Sequence, residues 1–302
     1  MKARKRLRNW ADARFGQAST IVVSLVAYAV SFAAAALSLT LWPQANTMLA
    51  VLIAMVAATL ALWVIATLLD NASIFDPFWS VAPPIVFLFL LFHARPATDW
   101  LARDWLVLVI ILAWALRLTW NCMARWTVLA EEDFRYRKLR KATGNWFWLV
   151  NLTGIEMFPT LLVFLGCLPL HALVTSDAPL NALDLAATVL ALAAIGIEAL
   201  ADRQLWAHRR SEHRGDVLTS GIWGWSQHPN YLGEISFWWA ILFFGLAAGA
   251  PLWTAVGAVA MTLLFRFISI PMMVTRKRQR RPDYDASVAG IPPLLPRPWA
   301  RR

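Results

Sequence analysis

The sequence predicts an all-α, polytopic integral membrane protein of about seven to eight transmembrane helices. Three observations carry that prediction. The chain of 302 residues is 59% hydrophobic and 15% charged, with a mean hydropathy of +0.54, more apolar than a soluble domain requires. Its apolar residues fall in separate runs near the roughly 20 residues that a helix needs to cross a bilayer. Many of the 18 Trp residues stand near run ends (Trp42, Trp100, Trp120, Trp146, Trp253), where an indole suits the membrane interface.

The runs cover about 20–42, 48–69, 78–94, 101–123, 146–173, 181–205, 231–248 and 251–275. Helices are expected because lipid cannot satisfy an exposed backbone. The first run follows a basic arm, and the second ends before Asp70. Asp76 opens the third, which is short. The fourth carries Arg117 and the fifth Glu156. The sixth runs into Asp202 and Arg203. The seventh, also short, follows Pro229, a residue suited to a helix start. Gly249-Ala250-Pro251 divides it from the eighth. One membrane domain over 20–275 is expected, between a basic arm (1–19) and a basic tail (276–302).

Lysine and arginine give the orientation. Six lie in the arm, six in the loop 124–145, four in 203–214 and eight from 276 onward, whereas the alternate loops hold only Arg95 and Arg103. Eight spans put all four blocks and both termini in the cytoplasm. The net charge of +10 then reflects loops facing anionic membrane lipids and implies no nucleic acid. Cys122 and Cys167 sit in apolar runs and read as packing residues, with no disulfide implied. The first run is too long for a signal-peptide core, so no cleavable leader is expected. Abundant Ala and an excess of Arg over Lys point to a GC-rich bacterial genome, hence a bacterial inner membrane.

Polar groups concentrate between Glu198 and Glu234. Glu198 and Asp202 share a helix face, and Asp202 to Arg209 is close to two turns. His208, His213 and Asp216 follow, then Trp225 and the run His228-Pro229-Asn230-Tyr231-Leu232-Gly233-Glu234. Arginines that grip phosphate beside acids that bind ribose hydroxyls suit a phosphorylated nucleotide. The alternative is an ion-pair network that only fixes helix ends. The His208/His213 spacing matches no zinc motif, so no metal is expected. In the first half, Asp76, Arg117 and Glu156 are costly in a membrane and could converge on one cavity, with pairwise neutralisation as the alternative. The loop Glu131–Arg137 mixes both charges with Phe134 and Tyr136.

The chain resembles bacterial membrane proteins grouped with the steroid 5-alpha-reductases. The likeness rests on Asp76-Pro-Phe-Trp-Ser80, Trp114-Ala-Leu-Arg117-Leu, Glu132-Asp-Phe-Arg-Tyr136, the stretch from Ser220 to Glu234, and Arg281-Pro-Asp-Tyr284 followed by Ile291-Pro292. It covers residues from about 70 to the end. It implies a helical membrane reductase that uses NADPH to reduce an activated carbon–carbon double bond in an apolar, steroid-like or lipid substrate drawn from the bilayer. It implies a cofactor-binding part over about 198–275. Asp202, Arg209, Asn230 and Glu234 hold NADPH there, with His208, Trp225, His228 and Tyr231 beside them and Arg266 on the last span. Asp76 stands where the family has a catalytic carboxylate, and Tyr136 is the candidate catalytic tyrosine. Arg117 and Glu156 fall to the substrate pocket. Gln227 stands where the family has Arg, removing one phosphate contact.

In such a reaction hydride reaches the beta carbon of an enone, and negative charge develops on its oxygen. A tyrosine or protonated carboxyl aimed at that oxygen stabilises it. Two other classes fit parts of the pattern. One is an S-adenosylmethionine-dependent methyltransferase of the isoprenylcysteine or phospholipid type, which shares a His-Pro-x-Tyr stretch followed by glutamate. The other is a non-catalytic lipid-binding or transport protein, which binds no nucleotide.

Overall fold

The structure is a computed structural model that describes residues 16–43 and 46–296. Among the described residues all regular structure is helical. Seven helical runs are long and apolar enough to cross a membrane: Gln17–Leu41, Thr47–Leu69, Ala72–Ala94, Ala102–Arg125, Phe134–Thr175, Ala182–Arg210 and Leu252–Arg280. The architecture is that of a polytopic all-α membrane protein. Val22, Leu25, Leu37, Leu116 and Trp120 lie exposed on these helices, as side chains that face lipid do. The helix Pro229–Ala247 forms as predicted but falls outside the seven, because Asn230 and Glu234 near its start lower its hydropathy. The basic arm up to residue 15 and the last six residues of the tail lie outside the described residues.

Two expectations are corrected. The stretch 124–145 is not loop throughout. Phe134–Thr143 is a helix, started by Asp133, whose carboxylate accepts the Arg135 N–H at 2.8 Å. It continues through Gly144–Trp146 into the fifth span, which is also not uniform. Asn151–Met157 winds as a π-helix, as does Leu264–Ser269 in the last span. Such wide turns leave no mark on a 3.6-residue hydrophobic pattern.

The chain divides into two compact units. The first draws on the chain up to Trp100 and on Ile111–Leu168. Its buried side chains include Leu62, Ile74, Phe87, Leu91 and Trp114. Here Asp70, in the left-handed conformation with φ 55°, ends Thr47–Leu69. Asn71 then caps Ala72–Phe75 and donates to the Leu129 carbonyl at 2.6 Å and the Glu131 carbonyl at 2.9 Å. Ser73 Oγ accepts from the Asp133 N–H at 2.7 Å. These bonds hold 129–133 against the head of the third span.

The second unit draws on Leu101–Ile110 and on the chain from Pro169. Its buried side chains include Phe237, Trp238, Phe244 and Tyr284. Asn181 and Asp184 form a capping box at the start of Ala182–Arg210. Asp184 also pairs with Arg103 at 2.7 Å, and the guanidinium reaches the carbonyls of Ala178 and Pro179 at 2.9 Å. Every charge in this buried cluster is therefore matched. The helices Ala182–Arg210 and Pro229–Ala247 meet at Gly233, where a Cβ would run into Glu198 Cγ and lie 2.8 Å from the Ala194 carbonyl.

Candidate functional site

The predicted site residues fall into two groups, one in each unit. In the second unit the turn Gly221–Gly224 docks on the helix Ala182–Arg210. Trp223 Nε1 donates to the Ala201 carbonyl at 3.1 Å, and Gln204 Oε1 accepts the Ile222 N–H at 3.2 Å. Gly221 allows this turn through its φ of 59°. The chain then reaches His228, just before Pro229 begins the next helix. His228 is 3% exposed, its N–H donates to Ser226 Oγ at 3.2 Å, and its Nε2 has no hydrogen-bond partner. Burial, with the nearby Lys277 charge as the second cause, pulls its pKa down to about 3. The ring is therefore neutral at physiological pH. It stacks obliquely with Tyr231, 5.3 Å between centroids, and Tyr231 meets Phe265 at 5.0 Å.

Glu234 is buried one turn beyond Asn230 and accepts from Trp238 Nε1 at 3.1 Å. Asp202 is half-buried, and Arg209 is exposed further along the same helix. The His208 ring lies 3.0 Å from the Asp216 carbonyl, and Trp225 is exposed. Arg266 is exposed on the π-turn Leu264–Ser269 and lines a cavity of about 420 Å³ with Thr262 and the segment Pro292–Pro296.

That terminal segment explains a residue that sequence reasoning treated as a loss. Gln227 Nε2 donates to the Ile291 carbonyl at 2.6 Å, its backbone N–H to the Pro292 carbonyl at 3.0 Å, and its Oε1 accepts from Tyr284 Oη at 3.1 Å. The Arg-Pro-Asp-Tyr and Ile-Pro pieces are thus the partners of Gln227. The signal was present in the sequence as two polar motifs, without the fold that joins them.

In the first unit the structure joins Asp76 and Tyr136. The Tyr136 hydroxyl donates to Asp76 Oδ1, Arg135 approaches the same oxygen at 3.6 Å, and Asp133 holds Arg135 at 2.8 Å. Tyr136 packs in a cluster with Ala72, Phe147 and Ile155. Glu156 is buried but bonds Asn151 Nδ2 at 2.8 Å, five residues back in its own π-helix. Arg117 is half-buried in the helix Ala102–Arg125. Sequence reasoning missed Asn151, because only π winding sets positions five apart on one face.

An all-helical membrane protein with two groups of polar residues is the class that the fold and these residues define. The chain belongs to the family described as protein of unknown function DUF1295, whose model matches residues 62–289. That range takes in both groups. The chain is similar to an uncharacterised protein of Schizosaccharomyces pombe, 24% identical over 230 residues that cover 68% of this chain and 67% of that one. No solved structure matches the chain.

Proposed function

We propose that the protein is a membrane-embedded, NADPH-dependent reductase acting on the activated carbon–carbon double bond of an apolar, steroid-like or lipid enone. The part-buried Asp76–Tyr136 hydrogen bond carries the reading. A phenol and a carboxyl joined this way can direct a proton to an enone oxygen and stabilise the charge that develops there. Arg135, at 3.6 Å, keeps positive charge beside the pair.

The second unit supplies a donor set that suits a phosphorylated nucleotide. Arg209 and Arg266 are exposed cations fit for phosphate, and Asp202 and Glu234 are carboxylates fit for ribose hydroxyls. His228 offers a neutral imidazole whose Nε2 lacks a partner, with Asn230 and Tyr231 on the next turn. When bound, NADPH supplies the hydride; these residues bind and orient it. The segregation of Lys and Arg supports a cytoplasmic cofactor face with both termini cytoplasmic, counting Pro229–Ala247 as an eighth span. The substrate reaches an apolar enzyme of this kind from the bilayer.

The test is NADPH oxidation by detergent-purified protein with a panel of enone lipids and steroids. Enone-dependent oxidation lost in Tyr136→Phe supports the reading. Methyl transfer from S-adenosylmethionine, or lipid binding without nucleotide binding, contradicts it.

A further inference from the structure

The first unit holds a cavity that shares Ala72 and Phe147 with the packing around Tyr136. It measures about 170 Å³ and lies at the C-terminal end of Thr47–Leu69, lined by Ala66, Thr67, Asp70, Arg140, Trp148 and Asn151 among others. Pockets for drug-sized ligands begin at roughly 300 Å³, so this one fits a small head group and not a steroid body.

Its charged wall residues are Asp70 and Arg140, with Glu132 behind the guanidinium. Arg140 is held by Asp70 at 2.6 Å and by Glu132 at 2.7 Å, so two carboxylates share one guanidinium. The C-terminus of Thr47–Leu69 adds partial negative charge. The Arg140 guanidinium covers the Phe147 ring at 4.0 Å, while the Trp148 indole remains exposed at the rim. An indole face attracts an ammonium group.

Asn151 is the independent observation that points to a ligand. It is 3% exposed, lines the cavity, and uses Nδ2 on Glu156, which leaves Oδ1 without a hydrogen-bond partner. A buried amide oxygen in this state is costly, and an entering N–H removes the cost. Outside the cavity, Lys138 and Lys141 are exposed on the helix that carries Arg140, where they suit a phosphate.

We propose that this cavity binds a primary ammonium group, either the head group of a phosphoethanolamine lipid or a small free amine. Asp70 opposes the charge and Asn151 Oδ1 accepts one N–H. The site is independent of the reductase reading.

Thermal unfolding of the full chain in neutral detergent tests it, with phosphatidylethanolamine, phosphatidylcholine, phosphatidylglycerol or free ethanolamine added. Phosphatidylethanolamine is expected to raise the midpoint by a few degrees over the other two lipids. Asn151→Leu abolishes that difference and Trp148→Ala reduces it. A matching shift with ethanolamine identifies a free amine as sufficient, and its absence identifies the lipid. Native mass spectrometry of the wild type with the three lipids in equal amounts requires no variant; it is expected to show phosphatidylethanolamine adducts in excess. Equal response to all three lipids, or a selective shift that survives Asn151→Leu, overturns the proposal.

Discussion

Tyr136 donates its hydroxyl hydrogen to Asp76 across 60 positions of sequence. Asn71 and Ser73 make the contact possible, because they tie 129–133 to the turn just before Asp76. If this pair directs a proton, Tyr136→Phe and Asp76→Asn each lower enone reduction by about 100-fold or more. The phenylalanine keeps its packing against Ala72, Phe147 and Ile155, so the fold stands. NADPH affinity stays within about twofold of wild type, since neither residue belongs to the proposed nucleotide set. Turnover and titration on the same preparations check both parts.

The His228 imidazole makes stability depend on pH in a defined direction. Unfolded, it takes a proton below about 6.5, whereas buried it resists until about 3. Its contribution is complete above pH 6.5 and is lost as pH falls through that window, at up to roughly 1.4 kcal/mol per unit. His228→Asn flattens this part of the profile. Thermal midpoints in detergent from pH 7 to pH 4, wild type against variant, measure the difference.

Two glycines on facing helices give opposite outcomes. A methyl at Gly233 meets Glu198 and the Ala194 backbone carbonyl, and a carbonyl cannot swing aside. Gly233→Ala therefore costs about 1–3 kcal/mol, read as a lower thermal midpoint. A methyl added at Gly196 meets nothing within 4 Å, so Gly196→Ala is neutral or stabilising by about 0.5–1 kcal/mol.

Gln227 holds the terminal segment by three hydrogen bonds. Gln227→Ala removes the two made by its side chain, each worth about 1 kcal/mol. Trypsin then cuts after Arg280 several-fold faster than in the wild type, while the membrane helices stay intact. Timed digestion and mass spectrometry of the fragments report it.

The helices were legible because lipid imposes long apolar runs, and Phe78–Ala94 and Ala182–Arg210 begin within one residue of their predicted starts. Phe134–Thr143 was hidden because its charged residues read as a solvated loop, although Asp133 is a good cap. The Asp76–Tyr136 pairing was approachable from motifs, since each residue sits in a distinct polar stretch. Asn151 and its bond to Glu156 were not, because the pairing depends on a local change of helical pitch. The role of Gln227 was equally out of reach, as its partners lie 57 and 64 positions away.

The most direct test of the central claim is nucleotide binding. Purified protein is titrated with NADPH, NADH and S-adenosylmethionine, in parallel with Asn230→Ala. The account predicts saturable NADPH binding, weakened at least about tenfold by the substitution, and no binding of S-adenosylmethionine. Binding of S-adenosylmethionine alone, or of no nucleotide at all, contradicts it.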